Sequence, residues 1–188
     1  MALIAADREK ALYEALSKGK ESGRKAFFNV FKAYLASVCR RYIDSEEDVS
    51  DVLQDVFVKV FTRIGSFSWR GPGSLQAWAK KIAVNEALVF LKKKARYPVL
   101  PIEALPDGEA AEEDADVAQG VPAAALMEMI RQLSPQYRAV FNMYVLDDMG
   151  HKDIAAQLGI SEVTSASNLS RAKKILAKMI KDYKSSIQ

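Results

Sequence analysis

The sequence predicts an all-α protein: two small helical domains joined by an acidic flexible linker, the second domain closing on two helices set about a tight corner. Three observations predict it. Apolar residues recur at helical spacing over two long segments, and no run alternates at the period of two that a half-buried strand requires. Between those segments, residues 97–123 hold four of the six prolines and no hydrophobic periodicity. Near the C-terminus, Ile154, Ala155 and Leu158 share a helical face that stops at Gly159, and Ser161 opens a new helix at once.

Residues 1–24 read as an N-terminal tail with a short helix near Arg8–Leu16, less strongly patterned than those that follow. Residues 25–96 form the first domain. Its first helix carries Phe27, Phe31, Tyr34, Leu35, Val38 and Tyr42 on one face, with Cys39 beside it. Ser45-Glu46-Glu47-Asp48 resembles a capping box opening the second helix. Val49, Val52, Leu53, Val56, Phe57, Val60, Phe61 and Ile64 then follow at i, i+3, i+4, i+7 spacing without a gap, while the other face shows Asp48, Asp51, Gln54, Asp55 and Val58. After the loop GSFSWRGPGS, a third helix from about Leu75 to Lys94 is expected to bury Leu75, Trp78, Ile82 and Val89. Residues 97–123 are the linker. The second domain, 124–188, begins with a helix over Ala124–Leu133 and restarts at Ser134-Pro135, with Ser as N-cap and Pro at the first helical position. Val140, Phe141, Tyr144 and Val145 form the next apolar face, and Leu169, Ala172, Leu176, Met179, Ile180 and Tyr183 anchor the last helix.

Composition excludes several functions. One histidine (His151) and one cysteine (Cys39) supply neither a zinc site nor a nucleophile with its base. The acidic run near residue 46 lacks the glycine-centred spacing of a calcium loop, and no phosphate-binding glycine loop is present. The protein is therefore expected to be no enzyme and to need no cofactor. A lone cysteine, no basic start and an apolar N-terminal run of only four residues, LIAA, point to the cytoplasm, without membrane insertion.

The formal net charge of +3 conceals a partition. Residues 1–96 carry 18 Lys/Arg against 11 Asp/Glu, residues 97–126 carry seven Asp/Glu and no base, and residues 127–188 carry nine bases against six acids. Two basic segments flanking an acidic one suggest polyanion binding by the ends and another task for the middle.

The sequence GHKDIAAQLGISEVTSASNLSRAKK, residues 150–174, carries that idea further. Its small Ala155, turn glycine and immediate second helix have the make-up of a helix-turn-helix, which lays the start of its second helix in the DNA major groove. In the first domain, Lys81, Asn85, Leu88 and Lys92 share a face of the third helix, ahead of Lys93, Lys94 and Arg96. The loop before that helix sets Phe67, Trp69 and Arg70 among Gly65, Gly71, Pro72 and Gly73. Aromatic rings that stack on bases beside cations that hold phosphates are what single-stranded DNA requires. Two placements remain open to Trp69, one exposed to nucleic acid and one folded inward onto the core.

In order along the chain, SEEDVSDVLQDVFVKVF, WRGPGSLQAWAKKIAVNEAL, the acidic linker, LSPQYRAVFNMYVLDDMGHKDIAAQLGIS and NLSRAKKIL resemble a bacterial RNA polymerase sigma factor. The size and two-domain plan resemble the extracytoplasmic-function class, group 4 of the sigma-70 family. The similarity spans roughly residues 25–96 and 125–183. It implies that the helix bearing Asp48, Asp51, Gln54, Asp55 and Val58 docks on the clamp coiled coil of core RNA polymerase. It implies that the loop Ser66–Ser74 captures a flipped base of the −10 element, with Phe67, Trp69, Arg70, Lys81, Asn85 and Lys92 holding the melted strand. The second domain is implied to read the −35 element through Ser161, Thr164, Ala166, Ser167, Asn168, Ser170, Arg171 and Lys174. The linker would run through the RNA-exit region, its lack of bases mimicking nucleic acid. Core polymerase and promoter DNA are the implied partners, and an anti-sigma factor joins them as an option.

The sequence departs from the family at the recognition helix. Residues 162–168 hold no base where many relatives place one near Ala166, and Ser165 occupies a position where a buried aliphatic is common. The alternative, a two-domain helix-turn-helix regulator acting without being a polymerase subunit, accounts for the second domain equally well but leaves the aromatic loop and acidic linker unexplained.

Overall fold

The computed structural model describes residues 6–94 and 118–186, all-helical with no strand among them. Two compact units divide the chain, one within residues 1–95 and one within 96–188. Most of the acidic linker lies outside the described residues.

In the first unit, α1 (Ala6–Ser17), α2 (Glu21–Cys39), α3 (Glu46–Arg63) and α4 (Ser74–Lys94) pack about one core. Ser45 caps α3 as the sequence predicts, for the Asp48 N–H donates to Ser45 Oγ at 3.3 Å. The apolar stripes of α2 and α3 turn inward, and Phe27 meets both Phe57 and Phe61 edge-on. The helix near residues 8–16 forms and, rather than trailing as part of a tail, packs on α2 with Leu12 and Leu16 buried. Gly23 permits that approach: a Cβ there would stand 2.4 Å from the Ala15 carbonyl oxygen. A turn of 3-10 helix, Ile64–Ser66, ends α3 and leads into the loop before α4.

Helix α4 departs from expectation. Leu75 and Ile82 are buried and Trp78 half-buried, but Val89 is exposed. The inward stripe is built from Leu75, Ala79, Ile82, Ala83, Ala87 and Leu88, where alanines let neighbouring helices come close. Leu88, read as part of the basic outer face, is only 4% exposed. A bridge of 2.6 Å from Lys59 Nζ to the Glu86 carboxylate ties α3 to α4. Cys39 is fully buried on α2, and loss of hydration pushes its thiol up to about 12, against a smaller opposing effect of Arg40.

The second unit comprises α5 (Ala123–Gln132), α6 (Pro135–Phe141), α7 (His151–Leu158) and α8 (Glu162–Ser186). Its core begins before α5: Val121, assigned to the linker by composition, packs with Met129, Ile130, Leu133, Ala172, Leu176 and Ile180. Pro135 starts α6 as predicted, although the preceding Ser134 makes no side-chain cap. After Phe141 the chain widens into one turn of π-helix, Asn142–Leu146. A π turn accommodates more than the 3.6 residues of an α turn and rotates the faces that follow. Asn142 and Met143 are thereby buried, whereas Tyr144 and Val145, expected inside, are exposed.

Candidate nucleic-acid interface

Three surfaces assemble the predicted site residues. On α3, Asp51, Gln54, Asp55 and Val58 are exposed and Asp48 is half-buried at the first turn. Val58 is 59% exposed at the C-terminal end of this acidic face, an apolar position one turn from Gln54 and Asp55. Water covers such a position poorly, and a protein partner covers it well.

The second surface is the loop from Phe67 to Gly73. Its end is folded by local bonds: the Ser74 hydroxyl donates to Gly71 O at 2.6 Å and accepts from Arg70 N–H at 3.3 Å. Its aromatic residues resolve the choice left open for Trp69. The ring is half-buried and stacks on Tyr13 of α1, with centroids 5.8 Å apart and planes inclined by 21°. Phe67 meets Tyr13 edge-on at 5.5 Å and Trp78 at 5.0 Å. Trp69 is thus neither core nor free surface but a ring propped at the edge of the bundle, with Arg70 exposed beside it. Behind the loop, Glu9 of α1 is 1% exposed and accepts from the Gly73 N–H at one oxygen and from the Gln76 N–H at the other, the latter at 2.9 Å. On α4, Lys81 and Lys92 are exposed and Asn85 half-buried. The long-range part of this geometry, Glu9 and Tyr13, escaped sequence reasoning because the two residues lie in a segment with no motif.

The third surface is the helix-turn-helix. Gly159 adopts φ 73°, and its N–H and that of Ile160 both donate to Ala155 O, at 2.8 and 3.1 Å. Ser161 Oγ then accepts from the Thr164 N–H at 3.0 Å and lies 2.8 Å from Thr164 Oγ1, fixing the first turn of α8. Ser161, Ala166, Ser167 and Ser170 are exposed, and Thr164, Arg171 and Lys174 are half-buried. Asn168 requires correction. It is 5% exposed on the inward stripe with Ser165, Leu169 and Ala172, and its Nδ2 finds no hydrogen-bond partner among the described residues. Helical periodicity at that register turns it away from a groove. Val163, not singled out by sequence, is the most exposed large apolar residue among the described residues, at 76%.

The unusual Ser165 has a partner. His151 Nδ1 lies 2.9 Å from its hydroxyl, and the imidazole stacks on Tyr144 with centroids 4.7 Å apart. His151 is thus half-buried at the junction of α7 and α8. No group of three or more potential metal ligands occurs among the described residues, and no helix there is long and apolar enough to cross a membrane.

An aromatic loop with an exposed arginine ahead of α4 and a helix-turn-helix in a separate unit are the make-up of a transcription factor. Residues 27–97 match Sigma-70 region 2 and residues 123–176 match Sigma-70, region 4, together about two thirds of the chain. The chain belongs to the sigma-70 family of RNA polymerase sigma factors, in its extracytoplasmic-function class. It is 26% identical to the ECF RNA polymerase sigma-E factor of Escherichia coli, over 89% of this chain and 92% of that protein. It is 21% identical to the RNA polymerase sigma-H factor of Pseudomonas aeruginosa, over 95% and 96% of the respective chains. The fold is similar to that of the sigma factor RpoE of Bartonella quintana, solved with the anti-sigma factor NepR: TM-score 0.51, 21% identity, 84% of this chain and 96% of that one. It is also similar to that of CnrH, solved with the cytosolic domain of CnrY: TM-score 0.50, 20% identity, 94% and 98% covered.

Proposed function

We propose that this sigma factor works in the cytoplasm, without catalysis of its own, by dividing promoter recognition among the three surfaces. The outer face of α3, with Asp48, Asp51, Gln54, Asp55 and Val58, docks on core polymerase. Phe67, Trp69 and Arg70 take up an unstacked base of the −10 element while Lys81, Asn85 and Lys92 hold the melted strand. Ser161, Thr164, Ala166, Ser167, Ser170, Arg171 and Lys174 meet the −35 element.

The observation that carries this reading is the mounting of Trp69: a half-exposed ring, backed by Tyr13 and next to an exposed arginine, at the foot of a helix whose outer positions include Lys81 and Lys92. At the −35 element, the exposed small side chains of α8 fit close to base edges, and its N-terminal amides and flanking cations suit phosphates. An anti-sigma partner, of the kind bound in the Bartonella structure, belongs to the same proposal.

Run-off transcription with purified core polymerase and genomic fragments tests the reading. Site-specific transcripts that depend on this protein are expected, with weak duplex binding by the protein alone. Absence of any such transcript would overturn it, and tight sequence-specific binding without polymerase would favour a free-standing regulator.

A further inference from the structure

We infer that α1 is a strut that holds the capture loop in its working shape, with Glu9 and Tyr13 as positioning residues for strand separation. The inference rests on the reading of the Phe67–Gly73 loop as the base-capturing element.

A carboxyl group withdrawn from water is costly unless its oxygens are satisfied. On α1 the buried apolar positions Leu12 and Leu16 suffice to cover α2, so a buried glutamate at residue 9 needs another explanation. Its partners supply one. Gly73 and Gln76 lie 64 and 67 residues away, at the first turn of α4. Amides there have no partner within their own helix, and a Ser, Thr, Asp or Asn just before the helix ordinarily satisfies one of them. Gly73 occupies that place and has no side chain. Glu9 performs the capping from another helix, with both oxygens, and its position also suits the positive end of the α4 dipole.

One turn further along the same face of α1, Tyr13 supports the other end of the loop. Its ring stacks on Trp69 and abuts Phe67, and its hydroxyl approaches Phe67 O at 3.5 Å. Glu9 and Tyr13 therefore fix the two ends of the same loop, and Gly23 seats the helix that carries them by admitting the Ala15 carbonyl. A loop already ordered loses less conformational entropy when a base enters it. The strut acts on strand capture and leaves the polymerase-facing side of α3 untouched.

The test uses full-length protein assembled with core polymerase. Glu9→Gln keeps one acceptor oxygen but sets an NH2 group against the second amide. Gly23→Ala unseats α1 without altering either residue, and Tyr13→Leu keeps apolar bulk but removes the stack, which decides the matter if Glu9→Gln fails to fold. Permanganate reactivity follows promoter opening, core affinity and initial promoter binding are measured separately, and hydrogen exchange reads the Gly73 and Gln76 amides.

The expected result is faster exchange at both amides for Glu9→Gln and Gly23→Ala, and opening slowed roughly tenfold in all three variants, in line with loss of a helix cap. Core affinity and initial promoter binding should stay at wild-type values. Opening at the normal rate, with Trp69→Ala slow in the same assay, would overturn the strut while leaving the loop's role standing. Normal opening by Trp69→Ala would instead remove the loop reading and the strut with it. Loss of core affinity in step with opening would reduce α1 to general support and overturn the inference as well.

Discussion

In the proposed division of labour, strand capture turns on Trp69. Stacking on an aromatic ring contributes roughly 1–3 kcal/mol per base, so Trp69→Ala is expected to slow opening about tenfold or more, read by permanganate reactivity. Because the ring is half-buried against Tyr13 rather than in the core, the melting temperature should fall by only a few degrees and core affinity should hold. A promoter already unpaired across the −10 region should recover part of the loss, since the cost of unpairing is then met. At this scale the sequence was legible where a residue is explained by its neighbours in the chain. Ser45, Gly159 and Ser161 stand where local capping chemistry puts them. Residues explained by distant partners were not: Trp69 needs Tyr13, Ser165 needs His151, and Glu9 needs the first turn of α4. Asn168 was assigned to the groove by its place in a motif, and the register of α8 turns it inward.

Among the elements, α3 is the plainest in both sequence and structure, because seven apolar residues at helical spacing leave one way to bury it. Its outer face should tolerate charge reversal structurally, since exposed substitutions usually change stability by less than about 0.5 kcal/mol. Asp51→Arg combined with Asp55→Arg is expected to leave the melting temperature nearly unchanged and to abolish measurable competition for core polymerase; normal competition would remove these carboxylates from the interface. The harder elements are those whose buried stripe is not marked by large residues or a constant period. Alanines at 79, 83 and 87 carry the inner face of α4, so Val89 and Leu88 were assigned to the wrong sides. The π turn at Asn142–Leu146 shifts the phase within one helical segment, and a pattern read at 3.6 residues per turn then misplaces Tyr144 and Val145.

For the molecule as a whole, charge is distributed by segment: both helical units are basic, and the sequence between them carries seven acids with no base. Replacing those acids with Asn and Gln is expected to raise the affinity of the free protein for duplex DNA, measured by fluorescence anisotropy at fixed low salt, with the gain shrinking as salt rises. An unchanged affinity would assign the acids no part in restraining free DNA binding. The interior of the first unit bears on how such behaviour can be observed. Cys39 is the only cysteine in the chain, fully buried, and burial pushes its thiol up to about 12. Maleimide chemistry needs an accessible thiolate, so the native side chain is silent while the fold persists. Cysteines introduced at Lys18 and Lys181, exposed positions outside the three proposed surfaces, would then accept a donor and an acceptor dye with Cys39 left in place, and the distance between the two units could be followed optically as the factor meets core polymerase and its promoter.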